Sequence, residues 1–213
     1  MNQLKGKNVV ILGQTFTSRT ETLEEYFRDK ASKLFVIGIN SPFFEKNRGR
    51  CTFYIDGKIS KQFKLLHFKM KDFTWYRQPL FFIVYLVNFF LVFYSLIRIK
   101  EKFDIFIGIS HFAGLAGLIA KKFGFCKKVI FYSIDYYKPV KKINFHKLIN
   151  YIEILLDKVT VRSVDMVWNI TESIHNSREM YGQLSKNDYT SITVPLCYSS
   201  HLMRFVNIST IER

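Results

Sequence analysis

The chain is poor in framework residues, in turn formers and in acids. Its three cysteines, Cys51, Cys126 and Cys197, lie far apart and form no CxxC pair. That spacing excludes a disulfide scaffold and a thiolate zinc site, and it fits a reducing compartment. Only 10 Gly and 4 Pro occur in 213 residues, which excludes collagen-like and low-complexity classes. Charged residues make up 23% against 48% hydrophobic, so general disorder is excluded as well. No GxGxxG, P-loop, nucleophile elbow or HExxH occurs. Dinucleotide binding by that fingerprint, nucleotide hydrolysis, esterase chemistry and zinc proteolysis therefore lack support. The first apolar run stops at Gly13, short of a secretory h-region, and no signal peptide is expected.

Positive charge and aromatic rings are plentiful. Lys and Arg number 32 against 17 Asp and Glu, a net +15, and 22 Phe and 12 Tyr raise the aromatic fraction to 17%. Such a field attracts polyanions, whether nucleic acid, an anionic membrane surface or phosphate-bearing substrates. The aromatics gather in apolar runs instead of alternating with lysines, and no helix-turn-helix, RNP, zinc-finger or KH signature is present. A nucleic-acid partner is not expected.

Short apolar runs alternate with longer amphipathic stretches. Val9–Leu12, Leu34–Ile39, Cys51–Asp56, Ile105–Ile109, Val129–Ile134, Met166–Ile170 and Ile192–Leu196 read as strands, brief and mostly without polar alternation. Helices are expected at Thr20–Ala31, at His111–Phe123, from about Phe145 to Arg162, and from an N-cap at Thr171. Residues 40–72 are less regular apart from the Cys51–Asp56 strand, which has a basic stretch behind it. Strands alternating with crossover helices mean an α/β fold, Rossmann-like, with a mostly parallel sheet flanked by helices.

Between Arg77 and Arg98 lie 20 residues without a formal charge, long enough for a transmembrane helix. Gln78, Tyr85, Asn88 and Ser95 form a weak polar stripe on it. That stripe favours a helix lying on the flank of a domain with its greasy side in the membrane plane, with Phe81, Phe89 and Phe93 as contacts. A buried core helix and a true span are the other readings. Lysines at 58, 61, 64, 69 and 71, and eight more between Lys121 and Lys147, supply charge for an anionic surface.

Ligands of open α/β sheets bind beyond the carboxyl ends of strands. That rule selects Gly13, Gln14 and Thr15 after the first strand, Ser110 and His111 after the fourth, Asp135 and Tyr136 after the fifth, and Thr171 and Glu172 after the sixth. An imidazole at His111 can hydrogen-bond a ligand hydroxyl, or it can be an ordinary residue opening a helix. Asp135 is either a ligand-binding carboxylate or base, or a turn residue closing local backbone bonds. For Glu172 the helix dipole is the simpler explanation.

The segments KNVVILGQTF, KFDIFIGISHFAGLAGLIAKKFG, KKVIFYSIDY, VDMVWNITESIHNSREMYG and ITVPLC resemble, in that order, the N-terminal half of a GT-B glycosyltransferase of the retaining, GT4-like group. Val194 and Pro195 match the family's final Val-Pro turn, whereas Leu196 and Cys197 replace the pair that follows. The resemblance implies an acceptor-binding domain over residues 1–196 and a linker or tail over 197–213, with the donor-binding domain absent or supplied by a partner subunit. It implies His111 at the position that approaches the reacting sugar, a nucleotide-sugar as co-substrate, no tightly bound cofactor and no metal. The expected acceptor is a glycan or lipid-linked hydroxyl, at the cytoplasmic face of a membrane. The competing expectation is a non-catalytic membrane-docking subunit that scaffolds a separate transferase.

Overall fold

Uninterrupted apolar runs flanked by helix-forming segments dictate a sheet covered on its faces. A computed structural model of the chain describes residues 6–14, 18–39, 49–66, 78–136, 139, 145–182 and 184–195. Eight strands form one α/β sheet, mostly parallel and flanked by helices, in the order β4-β3-β2-β1-β5-β6-β7-β8. The strands are β1 (Asn8–Gln14), β2 (Lys33–Ile39), β3 (Arg50–Ile55), β4 (Lys58–Lys64), β5 (Phe103–Ile109), β6 (Cys126–Ser133), β7 (Met166–Asn169) and β8 (Ser191–Thr193). The chain divides into two compact units, Met1–Ile105 and Phe106–Arg213. Thr15 and residues 196–213, including the expected tail, lie outside the described residues.

In the first unit β1 and β2 run parallel, Val9 opposite Leu34 and Gly13 opposite Gly38. Next, β3 pairs antiparallel with β2 and turns back into β4. The basic stretch after Asp56 is therefore a strand, which corrects the sequence reading. Its signal is the Asp-Gly pair: Asp56 and Gly57 have φ of 47° and 76°, both left-handed, as a two-residue hairpin turn requires. On α1 (Ser18–Arg28), Leu23 and Phe27 are buried as their spacing demands, but so is Glu24. Glu24 accepts a hydrogen bond from the Tyr54 hydroxyl and pairs with Arg50 at 3.6 Å. Burial, then this bond, pushes the Tyr54 phenol up to about 12.

The long apolar helix, α2 (Gln78–Ile99), packs on this sheet through Val84, Val92, Leu96 and Ile99. Asn88 and Ser95 are buried on the same side. Ser95 Oγ donates to the Leu91 carbonyl at 2.7 Å and accepts from Cys51 Sγ at 3.4 Å. The helix thus buries two polar groups among its apolar contacts and turns further apolar groups outward. Phe89 and Phe93 are half-buried with ring centroids 4.9 Å apart, and the side chain of Phe81 lies outside the described residues. Among the described residues no helix is long and apolar enough to cross a membrane.

The second unit contains α3 (His111–Lys122), α4 (Phe145–Ser163) and α5 (Glu172–Ser177), which runs on into a π-helical turn, Arg178–Gly182. Parallel pairing joins β6 to β7 from Ile130↔Met166 to Ser133↔Asn169, and β7 to β8 from Val167↔Ser191. Phe131, Val161, Val167 and Leu184 form a core cluster against which Val164 and Tyr189 pack. Glycines let α3 approach its neighbours closely: a Cβ on Gly114 would meet Thr160 Cγ2 at 2.6 Å, and one on Gly117 would meet Phe106 Cδ1 at 2.7 Å.

The tightest approach is at Gly108, where an added Cβ would stand 2.5 Å from the Ala113 carbonyl carbon and 2.6 Å from Gly114 N. Backbone atoms cannot swing aside as side chains do. Gly108→Ala is expected to destabilise the protein by about 3 kcal/mol, the upper part of the overpacking range, read as a lowered urea midpoint.

Candidate functional site

Where β5 ends, the chain enters α3 without a loop. Ser110 makes the turn with φ 94°, an uncommon value for a residue with a Cβ. Its amide donates to the Tyr132 carbonyl at 3.3 Å, and its carbonyl accepts from Gly114 N at 2.9 Å. These bonds fix the corner and place His111 at the first position of the helix. After β6 the chain leaves the sheet through Ile134, Asp135 and Tyr136, so two strand ends deliver three of the expected residues to one place.

His111, Asp135 and Tyr136 line a hollow of about 220 Å³, solvent-open space included, together with Glu153, Ile154 and Asp157 of α4. The recess is small and open to solvent, and it suits one small group or the edge of a larger ligand. Among the described residues no Lys or Arg lines it.

Burial sets the protonation states. Desolvation lowers the pKa of His111, with the Asp157 charge pulling the other way. Glu153 is half-buried, and desolvation raises its pKa. The Tyr136 phenol is pushed up to about 12, first by burial and then by Asp157, with Arg178 opposing. The buried Tyr136 oxygen has no hydrogen-bond partner among the described residues. At neutral pH the hollow presents a neutral imidazole and a protonated phenol beside the side chains of Asp135, Glu153 and Asp157.

Beneath it lies a residue that the sequence reading did not single out. Arg178 is 0% exposed. Its Nε and one terminal nitrogen donate to the two Asp157 oxygens at 2.7 and 2.8 Å. It also donates to Asn169 Oδ1 at 2.6 Å and to Ser133 Oγ at 2.7 Å. The guanidinium lies 5.6, 5.9 and 5.8 Å from the ring centroids of Phe131, Tyr136 and Tyr189. Asp157 is thereby committed to structure, while Glu153, four residues earlier on the same helix, lines the hollow. The available signal was a carboxylate, Asp157, inside an otherwise apolar stretch of α4.

Within the second unit, Thr171 and Glu172 are not among the described residues that line the hollow. Thr171 and Glu172 are exposed beyond β7: the Thr171 hydroxyl meets Ser173 Oγ at 2.6 Å, and Glu172 accepts from the Thr193 hydroxyl at 3.0 Å. Thr171 flanks α5 but makes no side-chain capping bond. Gly13 and Gln14 end β1 in the first unit. Among the described residues no cluster of three or more His, Cys, Asp or Glu could hold a metal ion. In comparison with known proteins, no family model matches the chain and no curated protein matches it.

Two expectations follow. Because the folded state lowers the His111 pKa below 6.5, the unfolded chain binds the extra proton more readily. The His111 contribution therefore raises stability with increasing pH up to about 6.5 and is lost below, as the imidazole is forced to charge. Its ring should titrate below 6.5 by NMR, and His111→Gln should remove that part of the pH slope in unfolding experiments. Arg178→Ala leaves the Asp157 carboxylate buried without its counter-ion and should destabilise by about 3–5 kcal/mol, whereas the double change Asp157→Leu/Arg178→Met should recover much of the loss in the same denaturation assay.

Proposed function

We propose that the chain is the acceptor-binding domain of a glycosyltransferase and that the hollow at the ends of β5 and β6 receives the acceptor hydroxyl. One observation supports this reading: in a protein of net charge +15, the described lining is acidic and hydroxyl-directed, with no cation among the described residues that line it. A polyol finds there an imidazole that accepts a hydrogen bond, a phenol that donates one, and carboxyl groups that accept. His111 is the group for the reacting hydroxyl, since the neutral ring can take up its proton. Tyr136, Asp135 and Glu153 orient neighbouring hydroxyls. The α/β sheet and the order of strand-end residues agree with the resemblance to the GT4-like group. That resemblance also assigns the nucleotide-sugar to a donor domain and a retained anomeric configuration to the product.

The test supplies membranes from the source cells as a reservoir of acceptor and donor domain, adds the purified chain, and offers radiolabelled UDP-glucose, UDP-galactose, UDP-N-acetylglucosamine and GDP-mannose in turn. Label should enter a lipid-extractable or polymeric fraction in proportion to added chain. His111→Ala should lower the rate about 100-fold, the scale of a lost acid–base contact, and Glu153→Gln should weaken it less. Incorporation that ignores the added chain with every donor, or that is equal for His111→Ala, would remove the reading.

A further inference from the structure

On α2 the outward face is a continuous apolar stripe. Ile83, Leu86, Phe90, Tyr94 and Ile97 are 55, 57, 63, 54 and 58% exposed, spaced three or four residues apart along one side of the helix. The opposite side holds the polar Asn88 and Ser95 at 4% and 0%. A helix that faces water is patterned the other way round. This arrangement places the best apolar side chains where only a non-aqueous medium would reward them.

Cations frame the stripe. Arg98, Lys100 and Lys102, at and just beyond its C-terminal end, are exposed, and the Arg98 guanidinium stacks 4.4 Å over the Phe63 ring. On β4, Lys58 and Lys61 stand opposite Ile55 and Phe53. Cross-strand partners share a face, and this is the face that carries Cys51, whose thiol donates to Ser95 of α2. Lys58 and Lys61 are exposed beside it. The nearby acid Glu101 is neutralised by Lys33 at 2.7 Å.

We propose that the Ile83–Ile97 stripe of α2 is an in-plane insertion surface for an anionic lipid bilayer, with Lys58, Lys61, Lys100 and Lys102 engaging the headgroups. A convex helix face, apolar along its length and bordered by positive charge, fits the boundary between acyl chains and anionic headgroups. The insertion surface differs from the Phe81, Phe89 and Phe93 set expected from sequence, since Phe89 and Phe93 turn partly inward. The hollow of the second unit plays no part in it, so the two proposals fail independently.

Co-sedimentation of the full chain with vesicles tests it. Vesicles of equal parts phosphatidylcholine and phosphatidylglycerol should carry the protein down, and pure phosphatidylcholine should do so weakly. The variant Leu86→Ser/Phe90→Ser/Ile97→Ser changes only exposed positions and should lose at least about tenfold in binding. Lys58→Gln/Lys61→Gln/Lys100→Gln should lose about fivefold per charge at low salt, a difference that shrinks as salt is raised. Phe90→Trp should gain a blue-shifted emission component on vesicle addition, relative to the parent protein. Three results would overturn the proposal: no sedimentation of the parent chain, unchanged binding of the serine variant, or a stripe-dependent dimer in sedimentation velocity with no vesicle binding.

Discussion

The second unit is organised around one buried charge pair. Arg178 reaches it from the π-helical turn, Asp157 from α4, and Ser133 and Asn169 each accept one further donor from the ends of β6 and β7. Taking a guanidinium wholly out of water is tolerable only with its N–H donors engaged, so four segments are held in one relative arrangement. The pair need not add much net stability to have this effect. Its consequence is positional: Asp157 fixes the pitch and rotation of α4, and Glu153 inherits its place at the hollow from that. Tyr136, lying over the same guanidinium, is set by it too.

The sequence was most readable where chemistry left no choice. Val9–Leu12, Leu34–Ile39 and Ile105–Ile109 are apolar without alternation, and they became buried strands whose pairing follows the expected α/β plan. The strand-end rule then picked His111, Asp135 and Tyr136 without any knowledge of contacts, and the structure brings those three together. Thr171 and Glu172, picked by the same rule, stand exposed beyond β7, since a strand end identifies a neighbourhood and not the direction of a side chain.

Polar residues in these helices do not all face outward. On α2, Asn88 and Ser95 of the polar stripe are buried while Leu86, Phe90 and Ile97 are exposed; on α4, Asn150, Asp157 and Thr160 are buried while Leu148, Tyr151, Leu155 and Val159 are exposed. Arg178 was invisible for a related reason. A single arginine in a polar segment looks like solvated surface until its acceptors, 9, 21 and 45 residues away in the chain, are known to converge. The missed strand β4 was a different oversight. Lys58-Ile-Ser-Lys-Gln-Phe-Lys64 reads as a basic loop by composition, yet the Asp-Gly turn before it calls for a hairpin.

That hairpin has a bearing on how the protein behaves in a crowded solution. As the outermost strand of the sheet, β4 carries a row of main-chain donors and acceptors available to any passing extended segment. Lys58, Lys61 and Lys64 stand at every third residue along it, all exposed. A second copy aligning there would bring like charges into contact, so intermolecular sheet growth from this margin is opposed by repulsion.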